Sequence, residues 1–187
     1  MKLLWLVVLS AVALAGCAGE DSLTLDEYAD QITTISALYV EESQSLSLRY
    51  QRDVERKVGE LTDAGGVALV TAAVILVSGE TASYLALLDD AINRYVVSMS
   101  ELNPPSDLVD GHAAYVEVVS SVHQSLPAMR DAVALSQSMT DIELALAGSG
   151  FADGQAVWTA ACVSLEQDIR DLGRGADLKC VKPAVAP

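Results

Sequence analysis

From Leu108 to Val133 one stripe runs through this chain without a fault: Leu108, His112, Tyr115, Val119, Val122, Leu126, Met129 and Val133 alternate steps of four and three residues. Only an α-helix puts positions so spaced on one side. A seam of period 3.5 packs helices at shallow angles, as in bundles, so a helix of this kind needs helical neighbours. Pro127 falls inside the run, yet the seam continues past it. The expectation is a kink near Pro127, with the helix resuming as far as about Gln137.

Glycine and proline gather at a few junctions, and between them the same periodicity recurs. A first helix begins at a capping box, with Thr24 as N-cap and Glu27 three residues on. Its stripe runs Leu25, Tyr28, Ile32, Ile35, Tyr39, Leu46, Tyr50, Val54, Val58 and Leu61, and Gly65-Gly66 ends it. A second helix spans about Val67 to Leu102, through Val70, Val74, Val77, Tyr84, Leu88, Ile92, Tyr95 and Met99, until Asn103-Pro104-Pro105 stops it. A second capping-box pattern, Thr140 to Glu143, opens a short piece ending near Ala147. A fourth long helix carries Trp158, Cys162, Leu165, Ile169 and Leu172 on one face, with Gly173 as C-cap and Arg170 and Arg174 near its negative end. No stretch shows sustained alternation between turn residues. The fold class is therefore all-α, an antiparallel bundle of about four long helices joined by short connections.

The first residues carry a different signal. Met1 and Lys2 precede an apolar run from Leu3 to Leu14, which is too short for a spanning helix of about 20 residues and matches a signal-peptide core. The next residues, Leu14-Ala15-Gly16-Cys17, resemble the lipobox of bacterial lipoproteins. The resemblance implies a lipid thioether on Cys17, cleavage before it and often a further acyl chain on the new amino group. Two or more chains anchor a protein stably. Ala18 stands where an aspartate would retain many such proteins at an inner membrane, so the resemblance sends this chain to an outer membrane where the source has one. The expected organisation is a lipoprotein signal peptide over 1–16, a lipidated tether over 17–23, one helical-bundle domain over 24–180 and a flexible tail over 181–187. The expected location is extracytoplasmic, lipid-anchored on the cell membrane or outer membrane.

Removing residues 1–16 takes away one lysine and no acid, so the formal charge of −15 becomes −16 on 171 residues. Such a body disfavours nucleic-acid binding, which depends on Lys and Arg neutralising phosphates. It also repels anionic lipid, leaving the acyl groups as the membrane partner. Beyond Cys17, Cys162 and Cys180 form an even pair that reads as a disulfide in an oxidising compartment. It would tie the tail to the last helix, and closing a loop of that length stabilises by about 3 kcal/mol on the entropic account.

Residues able to carry chemistry are few. His112 sits on the apolar seam, which suits a core histidine bonded within the bundle better than a ligand. His123 lies 11 residues on, about 16 Å along the axis, so the two cannot hold one ion. Met99, Met129 and Met139 supply no diagnostic haem partner, and no Glu-x-x-His of di-iron bundles occurs. Glu42 reads as a rim position, Asp89-Asp90 as solvated, and Arg49, Arg52 and Arg56 as a salt-bridged face beside Asp53, Glu55 and Glu60. Tyr28, Tyr39 and Tyr50, and again Tyr84 and Tyr95, recur every 11 residues, the spacing of one helix face. They read as core with hydroxyls near the rim, or else as an aromatic groove. No nucleophile motif, phosphate loop or metal-ligand spacing appears, so the chain reads as non-enzymatic with no cofactor indicated.

Val67 to Leu88 is the unusual segment, 22 residues with Glu80 as the one charge. As a bilayer span it would bury that carboxylate near the centre at several kcal/mol. A helix buried on most sides, or one whose spare apolar face meets a protein partner or a second copy, fits better. The body, through Leu102-Asn103-Pro104-Pro105, His112, Cys162, Leu165 and Asp177-Leu178-Lys179-Cys180, resembles uncharacterised helical lipoproteins of high-GC bacteria, a likeness that implies no activity. The functions in contention are an interaction or envelope-structural module, a small-ligand or sensory bundle with candidate lining residues Tyr84, Tyr95, His112 and Tyr115, and a haem or metal carrier.

Overall fold

The computed structural model describes residues 22–64 and 69–180. The signal peptide, the lipobox with Cys17, the Gly65-Gly66 turn and the tail from 181 lie outside the described residues. Five α-helices follow one another: α1 Leu25–Ala64, α2 Leu69–Ser100, α3 Val109–Ala134, α4 Met139–Gly148 and α5 Phe151–Asp171, with one 3₁₀ turn at Ser106–Leu108 before α3. No strand occurs among the described residues. The fold is an all-α bundle of four long helices and one short one.

The expected ends hold with small shifts. Thr24 and Glu27 form a reciprocal capping box: the Glu27 N–H donates to Thr24 Oγ1 at 3.3 Å, and the Thr24 N–H donates to Glu27 Oε2 at 3.0 Å. Gly173 has φ +93° and closes α5, its N–H donating to the Arg170 carbonyl. The α3 helix continues through Pro127 to Ala134. The second capping box sits two residues earlier than expected. Ser138 is the N-cap, its side chain accepting from the Asp141 N–H, while Asp141 Oδ2 accepts from the Gln137 N–H. Serine caps at least as well as threonine, and Asp141 returns the bond that Glu143 was expected to give.

Helix α2 lies between α1 and α3, and α5 against α3. Each of these pairs is antiparallel, since Ser36 meets Tyr95 and Tyr50 meets Thr81, Met99 meets His112 and Asp89 meets His123, and Tyr115 meets Trp158 and Val122 meets Gly154. Two glycines let α3 and α5 close up. A Cβ on Gly154 would stand 3.0 Å from Val122 Cγ2, and one on Gly111 would stand 2.9 Å from the Asp168 carboxylate. Between α5 and α1 the gap is closed by residues 174–180. Arg174 bridges to Asp26 at 3.2 Å and to Asp30 at 3.1 Å, the Asp177 N–H donates to Thr33 Oγ1, and the Leu178 N–H donates to Glu166 Oε1. The expected Cys162–Cys180 disulfide is present, with 5.5 Å between Cα atoms, and pins this strap so that Leu178 is buried.

The register leaves α2 unevenly covered. His112 contacts Met99 and His123 contacts Asp89, so residue numbers facing each other across α2 and α3 sum to 211 or 212. Ala134, the last residue of α3, therefore falls level with residues 77–78 of α2. Beyond that level α1 and α2 continue as a bare hairpin for about 12 Å.

Candidate functional site

The seam residues of α1, α2, α3 and α5 converge on a buried hydrogen-bond network. His112 Nε2 lies 3.0 Å from the Met99 carbonyl, which can only accept, so Nε2 carries the proton. Nδ1 then accepts from the Tyr28 hydroxyl at 2.8 Å. Both ring nitrogens are engaged, and a metal or haem could take neither without breaking one of these bonds. Burial pushes the His112 pKa below its ordinary 6.5, a shift that the bond to Met99 only partly offsets. One helical turn on, the hydroxyls of Tyr95 and Tyr115 meet at 2.6 Å; Ser36 Oγ lies 3.1 Å from Tyr95 Oη, and Trp158 Nε1 donates to Tyr115 Oη at 2.9 Å. Burial raises the pKa of both phenols, which stay protonated.

The hydroxyls of Tyr28, Tyr95 and Tyr115 thus pair inside the bundle and not near its rim. Facing helices bring them together, and each satisfies the other without water. Tyr50 is half-buried, nearer the rim as expected, its hydroxyl 2.8 Å from Thr81 Oγ1 while its ring lies 5.0 Å from that of Tyr84. Tyr39 is the exception. Its ring sits against Tyr95 and Trp158, at centroid distances of 4.8 and 5.5 Å, and its buried hydroxyl has no partner. That side chain lines a cavity of about 20 Å³ under the strap, together with Tyr95, Tyr115, Trp158 and Leu178. The space is that of about one water molecule, far short of a cofactor.

Of the candidate lining residues, Tyr95 and Tyr115 meet at this cavity. His112 lies a turn away, bonded to Tyr28, and Tyr84 stands three turns down α2 against Tyr50. Sulfur atoms of Cys162 and Cys180 lie within 4.8 Å of a Glu166 oxygen, but the bridge occupies both thiols, and Glu166 holds the strap through the Leu178 N–H. Arg56 pairs with Asp53 and Glu60, and Glu42 reaches Arg94 across to α2. Reading the apolar stripes alone misses Ser36 and the Asp89–His123 pair, 2.9 Å apart between α2 and α3. The seven-residue spacing of Ala29, Ser36 and Ser43, all buried, is a signal that would have found the serine.

The open feature lies on α2. Among the described residues it is the one helix long and apolar enough to cross a bilayer, yet only 28% of its most apolar 18-residue window is buried. Tyr84, Leu85, Leu88, Ile92, Tyr95 and Met99 belong to the core, and Glu80 is paired with Lys57. Toward its start, past the end of α3, Val70 is 74% exposed and Ile75 66%, and Leu87 is 43% exposed further along. Val70 follows the core seam of Val74 and Leu88 and is exposed past the end of α3, whereas Ile75, Gly79, Ser83 and Leu87 lie on the outer side. This face carries no charge from Leu69 to Ser78. No family model, curated protein or solved structure matches the chain.

Proposed function

We propose that this chain is a lipid-anchored, extracytoplasmic helical-bundle protein that acts as a non-enzymatic interaction or envelope-structural module. The uncovered start of α2 is its contact surface. One observation carries the surface: the start of α2, uncharged from Leu69 to Ser78, leaves Val70 and Ile75 exposed in a protein that is otherwise strongly acidic. Monomeric proteins seldom leave such patches bare unless something covers them. The interior supports the non-enzymatic reading, because His112, Tyr28, Tyr95 and Tyr115 are spent on one another and their neighbours, and the cavity under the strap holds about one water molecule. The anchor follows from the likeness of Leu14-Ala15-Gly16-Cys17 to a lipobox. It joins the fold beside the start of α1, and α1 extends about 60 Å to the hairpin that offers the apolar face. A lipidated molecule standing on this end would hold that face well away from its own membrane.

The test uses the full chain expressed in a bacterial host. Labelled fatty acid should enter the wild type and not a Cys17→Ser variant. In membranes, Val70→Glu with Ile75→Glu should abolish self-association or capture of a partner while leaving the circular dichroism melt unchanged, since both positions face solvent. Association that persists in the double variant removes the α2 face from the reading, and label on Cys17→Ser removes the anchor.

A further inference from the structure

We infer that Cys162, Glu166 and Cys180 form a second latch for the strap, a site for a Zn²⁺ ion when a reductant has opened the bridge. The sulfur atoms of both cysteines and a carboxylate oxygen of Glu166 lie within 4.8 Å of one another. Two thiolates and a carboxylate are a ligand set that zinc takes, with Zn–S bonds of about 2.3 Å in a tetrahedral arrangement. Helix α5 supplies two of the three, since Cys162 and Glu166 stand four residues apart and share a face. The strap supplies the third. The Cα atoms of the two cysteines are 5.5 Å apart, so rotation of the side chains can set the freed sulfurs at the spacing of about 3.8 Å that the tetrahedron requires.

The fourth ligand has a place as well. The cavity of about 20 Å³ under the strap is lined by Cys162 and Cys180 and has room for about one water. A metal-bound water there would give the buried Tyr39 hydroxyl, whose side chain lines the same cavity, the partner that it lacks. Glu166 is already oriented, Oε1 accepting from the Leu178 N–H at 2.7 Å, and its carboxylate has a second oxygen for the metal. Two thiolates beside a carboxylate put three negative charges together, which a dication reduces to one. The strongly acidic body draws cations toward it. The opening step is thiol–disulfide exchange with a dithiol, whose thiolate attacks Cys180, the half-buried member of the pair, Cys162 being buried. The S–S bond breaks, the dithiol closes to its own disulfide and so supplies both electrons, and each cysteine sulfur takes up a proton. Zn²⁺ then releases those two protons as the Zn–S bonds form. The strap is thus held by the bridge when oxidised and by the metal when reduced, and is loose only when reduced and metal-free.

The experiment takes the full chain reduced with dithiothreitol, freed of it under argon and titrated with Co²⁺, a coloured substitute for Zn²⁺. A single Co²⁺ should bind with a thiolate-to-cobalt charge-transfer band, and Zn²⁺ should displace it. The oxidised chain and reduced Cys162→Ser should show no band at the same Co²⁺ concentration. Glu166→Gln should weaken binding by roughly tenfold or more while the band is retained. Trp158 fluorescence, reddened by reduction, should return toward its oxidised position when Zn²⁺ is added. Circular dichroism of each reduced sample follows the helices, and where reduction loosens them the metal should restore them. A reduced chain that stays helical without a band overturns the inference, as does one that unfolds and is not restored by the metal. A band that survives Cys162→Ser would rest on Cys17 and overturns it too. An affinity unmoved by Glu166→Gln would leave the thiols acting without the carboxylate, and the three-ligand site falls.

Discussion

At His112 the ring must donate to the Met99 carbonyl and accept from Tyr28, and both demands are met by the neutral ring alone. Below the ordinary pKa of 6.5 the unfolded chain takes up a proton that the folded chain resists, because burial holds the folded pKa lower. Stability should therefore fall as the pH drops below about 6.5. The phenols of Tyr28, Tyr39, Tyr84, Tyr95 and Tyr115 act at the other end. Burial raises each above the ordinary 10.0, so the unfolded chain loses protons that the folded chain keeps, and stability falls as the pH climbs past about 10. Melting temperatures taken across this range should show a plateau between the two limits. His112→Gln, which can still donate to Met99 and accept from Tyr28, should flatten the limb just below pH 6.5. An unchanged limb in that variant would assign it to other groups.

At the scale of the helices, the glycines divide by what surrounds them. Gly154 sits where α5 presses on Val122, and an added methyl would stand 3.0 Å from a γ-carbon of a buried branched side chain. Gly154→Ala should then destabilise by about 1–3 kcal/mol, because α3 and α5 must part. Gly79, in the middle of α2, has open space around its Cβ. Gly79→Ala should stabilise the isolated chain by about 0.5–1 kcal/mol through helix propensity. Denaturant titration of the dilute protein measures both, and equal effects would contradict the packing of α3 on α5. The two glycines look alike in sequence, each flanked by helix-forming residues. Their difference arises only from the neighbour that the fold supplies.

For the molecule as a whole, the strap from Arg174 to Cys180 is what joins the last helix to the first. Its bonds to Asp26, Asp30 and Thr33 are individually exposed and weak, whereas Leu178 is buried and the disulfide is covalent. Replacing Cys162 and Cys180 together by alanine should lower the stability of the folded chain by about 3 kcal/mol, the loop-closure contribution for a loop of this size. Trp158 lines the cavity beneath the strap and is the sole tryptophan outside the first 16 residues, so its fluorescence should redden as the strap loosens. A chain that melts at the same temperature with and without the bridge would show that Leu178 and the ion pairs hold the strap unaided.

The sequence by itself determined the helices, most of their ends and the disulfide. Each of these is a local matter: a repeat of three and four residues, a capping side chain three residues away, a glycine where φ must be positive, or two cysteines left over as a pair. Hydropathy also marked α2 as unusual, since apolar content is a property of the segment alone. Only the tertiary structure decided that Tyr28 would bond His112 from 84 residues away, that Arg174 would reach back to Asp30, and that the tyrosine hydroxyls would meet in the interior. Periodicity names the face a helix buries, but not the helix that it meets or the register in which they meet. The exposure of α2 was likewise beyond any pattern within it, because it depends on α3 ending at Ala134 while α1 and α2 continue.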